Sequence, residues 1–192
     1  NNQNIKIFDE YKDKFINLIR LKISRRLYSD KELDLENTTI TELFGDMVNF
    51  TGKIKFPANL YYFELSEGNY RHLYDNIPNT LRIFRVNYNK GLYNNTIDLS
   101  KTKIEIIDLM QSSLRGQIIP PNTLKEFRFH YSRYNTDIDL SKTQIKELRM
   151  NDRFTSNIKL PSTLERLVFG PRFNQELDLT NYVNLISLEL PL

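Results

Sequence analysis

The chain has 192 residues, no cysteine, a formal net charge of +3 at pH 7 and a hydrophobic fraction of 40%. Without cysteine it can form no disulfide framework, no thiolate metal site and no cysteine nucleophile. The charge is too small to indicate nucleic-acid binding by itself, and no apolar run approaches the roughly 18 residues that a membrane span needs.

The first segment, residues 1–17, is predicted to be an N-terminal cap. Its apolar side chains recur at spacings of 3 and 4 residues, which is the stripe of a helix. They are Phe8, Tyr11 and Phe15, and the same spacing continues to Leu18, the first residue of the repeat that follows. We expect a short helix over residues 8–15 that covers the open edge of the first strand, because terminal caps protect such edges. A helix that binds a partner is the alternative.

From residue 18 onward, one motif recurs along the chain. It reads Leu-x-x-Leu-x-Leu, with Ile, Phe, Val or Met also allowed at the Leu positions, and it returns every 19–23 residues. The motifs begin at Leu18, Ile40, Leu60, Leu81, Ile104, Leu124, Ile145, Leu164 and Leu185. This period predicts a mostly β repeat solenoid of the leucine-rich-repeat type over residues 18–192. We expect about nine coils of about 21 residues, a parallel concave sheet and few helices.

Between the predicted strands, the return path of the chain repeats as well. An aromatic residue or Leu follows each strand and is expected to stack into a spine inside the coils. These residues are Phe50, Tyr70, Leu92 or Tyr93, Leu114, Tyr134, Phe154 and Phe173. An apolar-x-apolar element comes next and predicts a second ladder on the convex side. Its members are Leu33/Leu35, Ile54/Phe56, Ile97/Leu99, Ile138/Leu140, Ile158/Leu160 and Leu177/Leu179.

The corner before each strand takes one of two forms. The first is Pro-x-(Asn/Thr)-Leu, in which proline fixes φ at a turn. The second is Asp-Leu-(Ser/Glu)-x-Thr-x-Ile, whose polar side chains can bond the turning backbone. The prolines are Pro57, Pro78, Pro121 and Pro161, and the aspartates are Asp34, Asp98 and Asp139.

One repeat carries a more specific pattern, over Pro161–Leu177. It resembles the FNIP repeat of amoebal and large-DNA-virus proteins, a leucine-rich-repeat variant that reads Pro-x-Ser-Leu-x-x-Leu-x-Phe-Gly-x-x-Phe-Asn-Gln-Pro-(Ile/Leu). The matching residues are Pro161, Leu164, Leu167, Phe169, Gly170, Phe173, Asn174 and Gln175, and Glu176 replaces the proline. The resemblance implies a protein-binding array, in some relatives beside an F-box. No F-box pattern is visible in this sequence.

The last motif ends at Leu190, and no closing helix pattern follows it. We therefore expect the natural solenoid to continue beyond Leu192. The alternative is that the bare edge pairs with another chain and forms an oligomer.

Residues that alternate with the buried positions are expected on the concave surface. The predicted binding surface comprises Arg85, Arg128, Arg149, Arg166, Tyr88, Tyr131, His130, Ile83, Ile106 and Met110. Arg, Tyr, Met and exposed aliphatic residues are favoured at protein interfaces. An equally weighted interpretation is that Arg128 and Arg149 form surface ion pairs across coils with Glu126, Glu147 and Asp108.

These patterns favour a non-catalytic scaffold that binds a protein partner on its concave face. The alternative is a nucleic-acid or anionic-polymer binder that uses the same Arg and Tyr residues. We expect no cofactor and no metal, because His72 and His130 lie in different coils. We expect no enzyme, because Ser113 and Ser162 lack the surroundings of a catalytic nucleophile. A cytoplasmic location is expected, with a cell-surface or secreted protein as the alternative.

Overall fold

Nine short strands, one from each copy of the motif, lie side by side in a single parallel sheet. The computed structural model describes residues 10, 12–14, 16–23, 32–46, 50, 52–66, 76–87, 96–110 and 112–190. Strands are numbered in chain order. The sheet contains β1 (Arg20–Ile23), β3 (Glu42–Asp46), β5 (Tyr62–Ser66), β6 (Ile83–Asn87), β8 (Ile106–Asp108), β10 (Glu126–Arg128), β12 (Glu147–Arg149), β14 (Arg166–Val168) and β15 (Ser187–Glu189), in that order.

The register of the sheet follows the sequence motif. Neighbouring strands align equivalent motif positions, as in Phe63 opposite Phe84 and Leu148 opposite Leu167. The predicted parallel β-solenoid with coils of about 21 residues is therefore confirmed. The number of coils is slightly smaller than expected, with about seven full turns instead of nine.

The core runs through the interior of the coils. The middle Leu position of the motif is fully buried in β3, β5, β6, β8, β12 and β14. The predicted spine is confirmed at the buried residues Phe50, Leu114, Tyr134 and Phe154. Phe173 is half-buried, and its ring stacks on that of Phe154 with centroids 6.5 Å apart. The spine positions Tyr70, Leu92 and Tyr93 lie outside the described residues.

The second ladder is present but divided into three pairs of two-residue strands. They are β2 (Leu33–Asp34) with β4 (Ile54–Lys55), β7 (Ile97–Asp98) with β9 (Ile118–Ile119), and β11 (Ile138–Asp139) with β13 (Ile158–Lys159). The predicted elements included five of these six strands and missed β9. Leu177 and Leu179 are half-buried and belong to no described strand.

Both predicted corner types form the expected turns. At the proline corners, the N–H of the first motif Leu bonds back to the proline carbonyl, as in Leu164 to Pro161 at 3.2 Å. At the aspartate corners, the carboxylate accepts the N–H two residues on, as Asp98 accepts that of Ser100 at 2.9 Å. These local bonds satisfy the backbone where the chain turns between ladders.

The N-terminal end of the solenoid contains one short helix among the described residues. The described helix at the N-terminal end is a single 3-10 turn, Lys12–Lys14, inside the predicted cap. Most of the predicted helix over residues 8–15 lies outside the described residues.

At the other end, Val183, Ile186 and Leu190 expose 86%, 85% and 64% of their surface. Within the described residues, no helix is both long and apolar enough to cross a membrane.

Candidate binding surface on the concave sheet

Because each strand alternates inward and outward residues, the outward side chains form rows across the concave face. One row takes the residue before the buried middle Leu position, and it runs from Arg20 in β1 to Ser187 in β15. The next row takes the residue after it, and it runs from Lys22 to Glu189. All four predicted arginines lie in these two rows.

Arg85 is at the centre of a bonded network on β5, β6 and β8. Its Nε lies 3.1 Å from Asp108 Oδ2, and its Nη1 lies 3.6 Å from Glu64 Oε2. Asp108 is only 2% exposed and also accepts the N–H of Met110 at 3.0 Å. The Tyr62 hydroxyl donates to Glu64, and burial together with this bond raises the pKa of Tyr62. Arg85 of β6 therefore links its two neighbouring strands, β5 and β8.

The predicted aliphatic residues do come together on the same strands. Ile83 lies opposite Ile106 across the β6–β8 pair. Both side chains and that of Met110 are half-buried, so they are less exposed than predicted. They provide a small apolar area beside the Arg85 network.

The arginines farther along the sheet differ in their pairing. Arg128 pairs with Glu126 of its own strand. Arg166 lies 2.5 Å from Glu189 and 3.7 Å from Glu147. Arg149 is exposed, and no ion pair joins it to any residue in the described part of the chain.

The cross-coil ion pairs predicted for Arg128 and Arg149 are therefore not found among the described residues, where Arg128 pairs only within its own strand. Arg166, rather than Arg149, is the partner of Glu147. Arg85, rather than Arg128 or Arg149, is the partner of Asp108. Among the three arginines of β10, β12 and β14, Arg149 remains available to a partner molecule.

A groove of about 960 Å³ runs along β10 and β12. Its lining includes Arg128 and Arg149 from the predicted surface, and His130 at one end. The His130 ring lies 4.7 Å from that of Tyr131, which is 68% exposed. Tyr88 lies outside the described residues.

The groove also contains residues that the sequence interpretation left out of the surface. Lys125 and Lys146 line it, together with Glu126 and Glu147. The lysines occupy the first position after the leading apolar residue of their motifs. Because Lys125 and Lys146 occupy the same position of the repeat, the sequence alone could have indicated that they lie on the same surface.

Two further residues that the alternation of inward and outward side chains would place outward, Asn151 and Val168, are buried, as is Asp108. Asn151 is 1% exposed, and its Nδ2 donates to the Tyr134 carbonyl of the preceding coil at 2.7 Å. Val168 is 8% exposed. The Oδ1 of Asn151 also accepts the N–H of Arg153 at 2.8 Å, so both ends of this buried amide are bonded.

The described residues contain no group of three or more His, Asp or Glu side chains placed to bind a metal ion. The polar side chains of the concave face can form ion pairs and hydrogen bonds with a ligand. No protein-family model matches the chain, and no curated protein matches it significantly.

Proposed function

We propose that the chain is a non-catalytic protein-interaction scaffold that binds a partner protein across its concave sheet. The observation that supports it most directly is the surface itself. Nine strands in register present charged side chains, half-buried isoleucines and a groove on one continuous face. Interfaces combine such apolar contacts with arginine and aromatic residues.

We further propose that the solenoid is of the leucine-rich-repeat type and related to FNIP repeats. Two of the residues that match the FNIP repeat, Gly170 and Phe173, contact the preceding coil. Gly170 lies against the backbone of the preceding coil, where no Cβ fits. Phe173 extends the spine by stacking on Phe154. Both features support a repeat whose glycine and phenylalanine serve the stacking of coils.

Nucleic-acid binding is the second candidate, and the arrangement of acidic groups counts against it. Glu64, Glu126 and Glu147 lie on the same face as the arginines. A phosphate backbone crossing this face would meet carboxylates as often as guanidinium groups. Cation clusters without acidic neighbours are the usual footprint of nucleic-acid binding.

The proposal can be tested by photo-crosslinking in an extract of the source organism. A benzophenone amino acid would replace Phe44 or Tyr131 on the concave side, or Lys159 of β13 on the convex side as the control. We expect discrete protein adducts from the two concave positions and none from Lys159. Adducts from Lys159 alone would place binding on the convex side, and loss of the adducts on nuclease treatment would favour the nucleic-acid candidate.

A further inference from the structure

Among the described residues, like charges lie opposite each other across the sheet only at the step from β10 to β12, which we call the β10–β12 seam. Two positions of the motif contribute to it, Glu126 opposite Glu147 and Arg128 opposite Arg149. Lys125 and Lys146 occupy the preceding position of their motifs. Directly opposed like charges destabilise a sheet, so their coincidence at two positions of one step needs an explanation.

Several other steps of the sheet place opposite charges together. Arg20 lies 2.6 Å from Glu42 across the first step, and Arg85 pairs with Asp108 across the step from β6 to β8. On either side of the seam, the two lysines turn to carboxylates of the outer strands. Lys125 lies 2.8 Å from Glu105, and Lys146 lies 2.6 Å from Glu165. The described outward rows contain no other pair of like charges.

The backbone is also different at the seam. At seven of the eight strand steps, two successive N–H groups bond to one carbonyl where the strand begins. The N–H groups of Glu165 and Arg166, for example, bond to the Lys146 carbonyl at 2.7 and 2.9 Å. At the seam, the double bond to one carbonyl is not found among the described residues, although Glu126 and Glu147 still pair in register. A bond from the Gln144 N–H to the Leu124 carbonyl, at 2.8 Å, lies there instead.

The groove described above lies along this seam, between the paired like charges. A group of opposite charge placed between two like charges would interact with both. The seam can therefore accept an anionic group between Arg128 and Arg149, and a cationic group between Glu126 and Glu147. Arg149 is the strongest anchor, because it is exposed and unpaired among the described residues.

We propose that the seam binds an extended segment of a partner protein that carries alternating acidic and basic side chains. Its acidic side chain lies between Arg128 and Arg149, and its basic side chain lies between Glu126 and Glu147. The two charge rows are two residues apart, about 6.6 Å along a strand, which is also the spacing of alternate side chains in an extended peptide. This proposal rests on the proposed function and specifies its partner. A polymer of one charge sign would be repelled by one of the two rows.

The test uses synthetic fluorescent peptides and fluorescence anisotropy. The first peptide repeats Glu-Thr-Lys-Thr, so that its charges alternate on one face of an extended chain. A second peptide has the same composition, with the glutamates and lysines grouped in blocks. A single-stranded oligonucleotide is the third probe. We expect saturable binding of the alternating peptide, with roughly tenfold weaker binding of the other two probes.

Two variants with the same change of charge locate the binding site. Arg149→Glu should weaken binding of the alternating peptide roughly tenfold, because the acidic side chain of the peptide would then meet a carboxylate in place of the guanidinium. Lys22→Glu is the matched control, since Lys22 is exposed in the same row at the other end of the sheet. It should bind like the unaltered chain. Thermal melts of both variants check that they are folded.

The possible outcomes separate this proposal from the proposed function. No binding of the alternating peptide, equal binding of the block peptide, or equal weakening by both variants would overturn the seam as the binding site. Concave photo-adducts that persist in the Arg149→Glu variant would also overturn it, while leaving the proposed function in place. Failure of both the peptides and the concave crosslinkers would overturn both proposals.

Discussion

Gly170 lies directly against the backbone carbonyl of Asn151 in the preceding coil. A Cβ at Gly170 would stand 2.0 Å from that carbonyl oxygen and 2.7 Å from the carbonyl carbon. The same Asn151 is held by its side chain, which donates to Tyr134 and accepts the N–H of Arg153 at 2.8 Å. The contact therefore sets how closely two coils can stack.

Replacing Gly170 by alanine tests this contact. The added methyl group meets backbone atoms, which cannot rotate away, so the coils must separate locally. We expect Gly170→Ala to lower the free energy of unfolding by about 1–3 kcal/mol, the usual cost of overpacking. Urea unfolding measures it, with Asn174→Ala in the same loop as the control, because Asn174 is exposed. Equal stability of both variants would contradict the close contact.

The contribution of the buried core to stability can be tested at Leu148. Its side chain is fully buried at the middle position of the motif in β12. Leu148→Ala leaves a cavity and is expected to cost about 2–5 kcal/mol of stability. Thermal melts that are unchanged by this substitution would refute the buried assignment. The exposed Lys142, replaced by alanine, provides the comparison.

Arg85 is expected to act on stability rather than on binding. Its removal leaves the nearly buried carboxylate of Asp108 without its cation. We expect Arg85→Ala to lower the free energy of unfolding by about 1.5–3 kcal/mol, the range for hydrogen bonds to charged groups. A double-mutant cycle with Asp108→Ala measures the pair directly. Additive effects of the two substitutions would show that the contact contributes nothing.

The β10–β12 seam predicts a substitution that stabilises the fold. Arg149→Glu replaces a like-charge pair with an opposite-charge pair across the strands, opposite Arg128. We expect a gain of about 0.2–1 kcal/mol, and a smaller gain at high salt because both side chains reach solvent. Denaturant unfolding at low and high salt measures it. A loss of stability at low salt would show that the arginines do not repel each other.

The aspartate corners predict a loss of stability in acid. Hydrogen bonds from Ser141 Oγ at 2.6 Å and Ser141 N–H at 3.0 Å, with the ammonium of Lys159 at 3.2 Å, hold the pKa of Asp139 below its ordinary 3.8. A lowered folded-state pKa stabilises the fold above pH 3.8, and this contribution disappears as the pH falls through the folded-state pKa. Asp139→Asn should therefore flatten the acid limb of the pH–stability curve.

The pH experiment compares thermal melts of the two chains from neutral pH to well below 3.8. Asp152→Asn serves as the control, because Asp152 is exposed and lies in the loop after β12. The control curve should follow that of the unaltered chain. Identical acid limbs for all three proteins would show that Asp139 does not contribute.

The concave surface was predictable in position and not in detail. Arg85, Arg128, Arg149 and Arg166 lie in the outward rows of one sheet, as the motif indicates, because side chains alternate along a strand. Which arginine binds which carboxylate was not predictable. Each surface ion pair contributes about 0–1 kcal/mol, so the sequence offers several partners of nearly equal free energy. In the structure, Arg85 contacts two carboxylates, those of Glu64 and Asp108. Arg149 has no carboxylate partner among the described residues.

The sequence by itself determined the solenoid, the register of its sheet and its buried residues. Each coil must place apolar side chains at the same inward positions, and a shift by one residue would turn them all toward water. Only the tertiary structure decided the local departures. The inward turn of Asn151 and the different backbone bonding at the β10–β12 seam depend on how one coil sits on the next. Such contacts join residues about one repeat apart, and their geometry is settled by stacking, because no local pattern of residues encodes it.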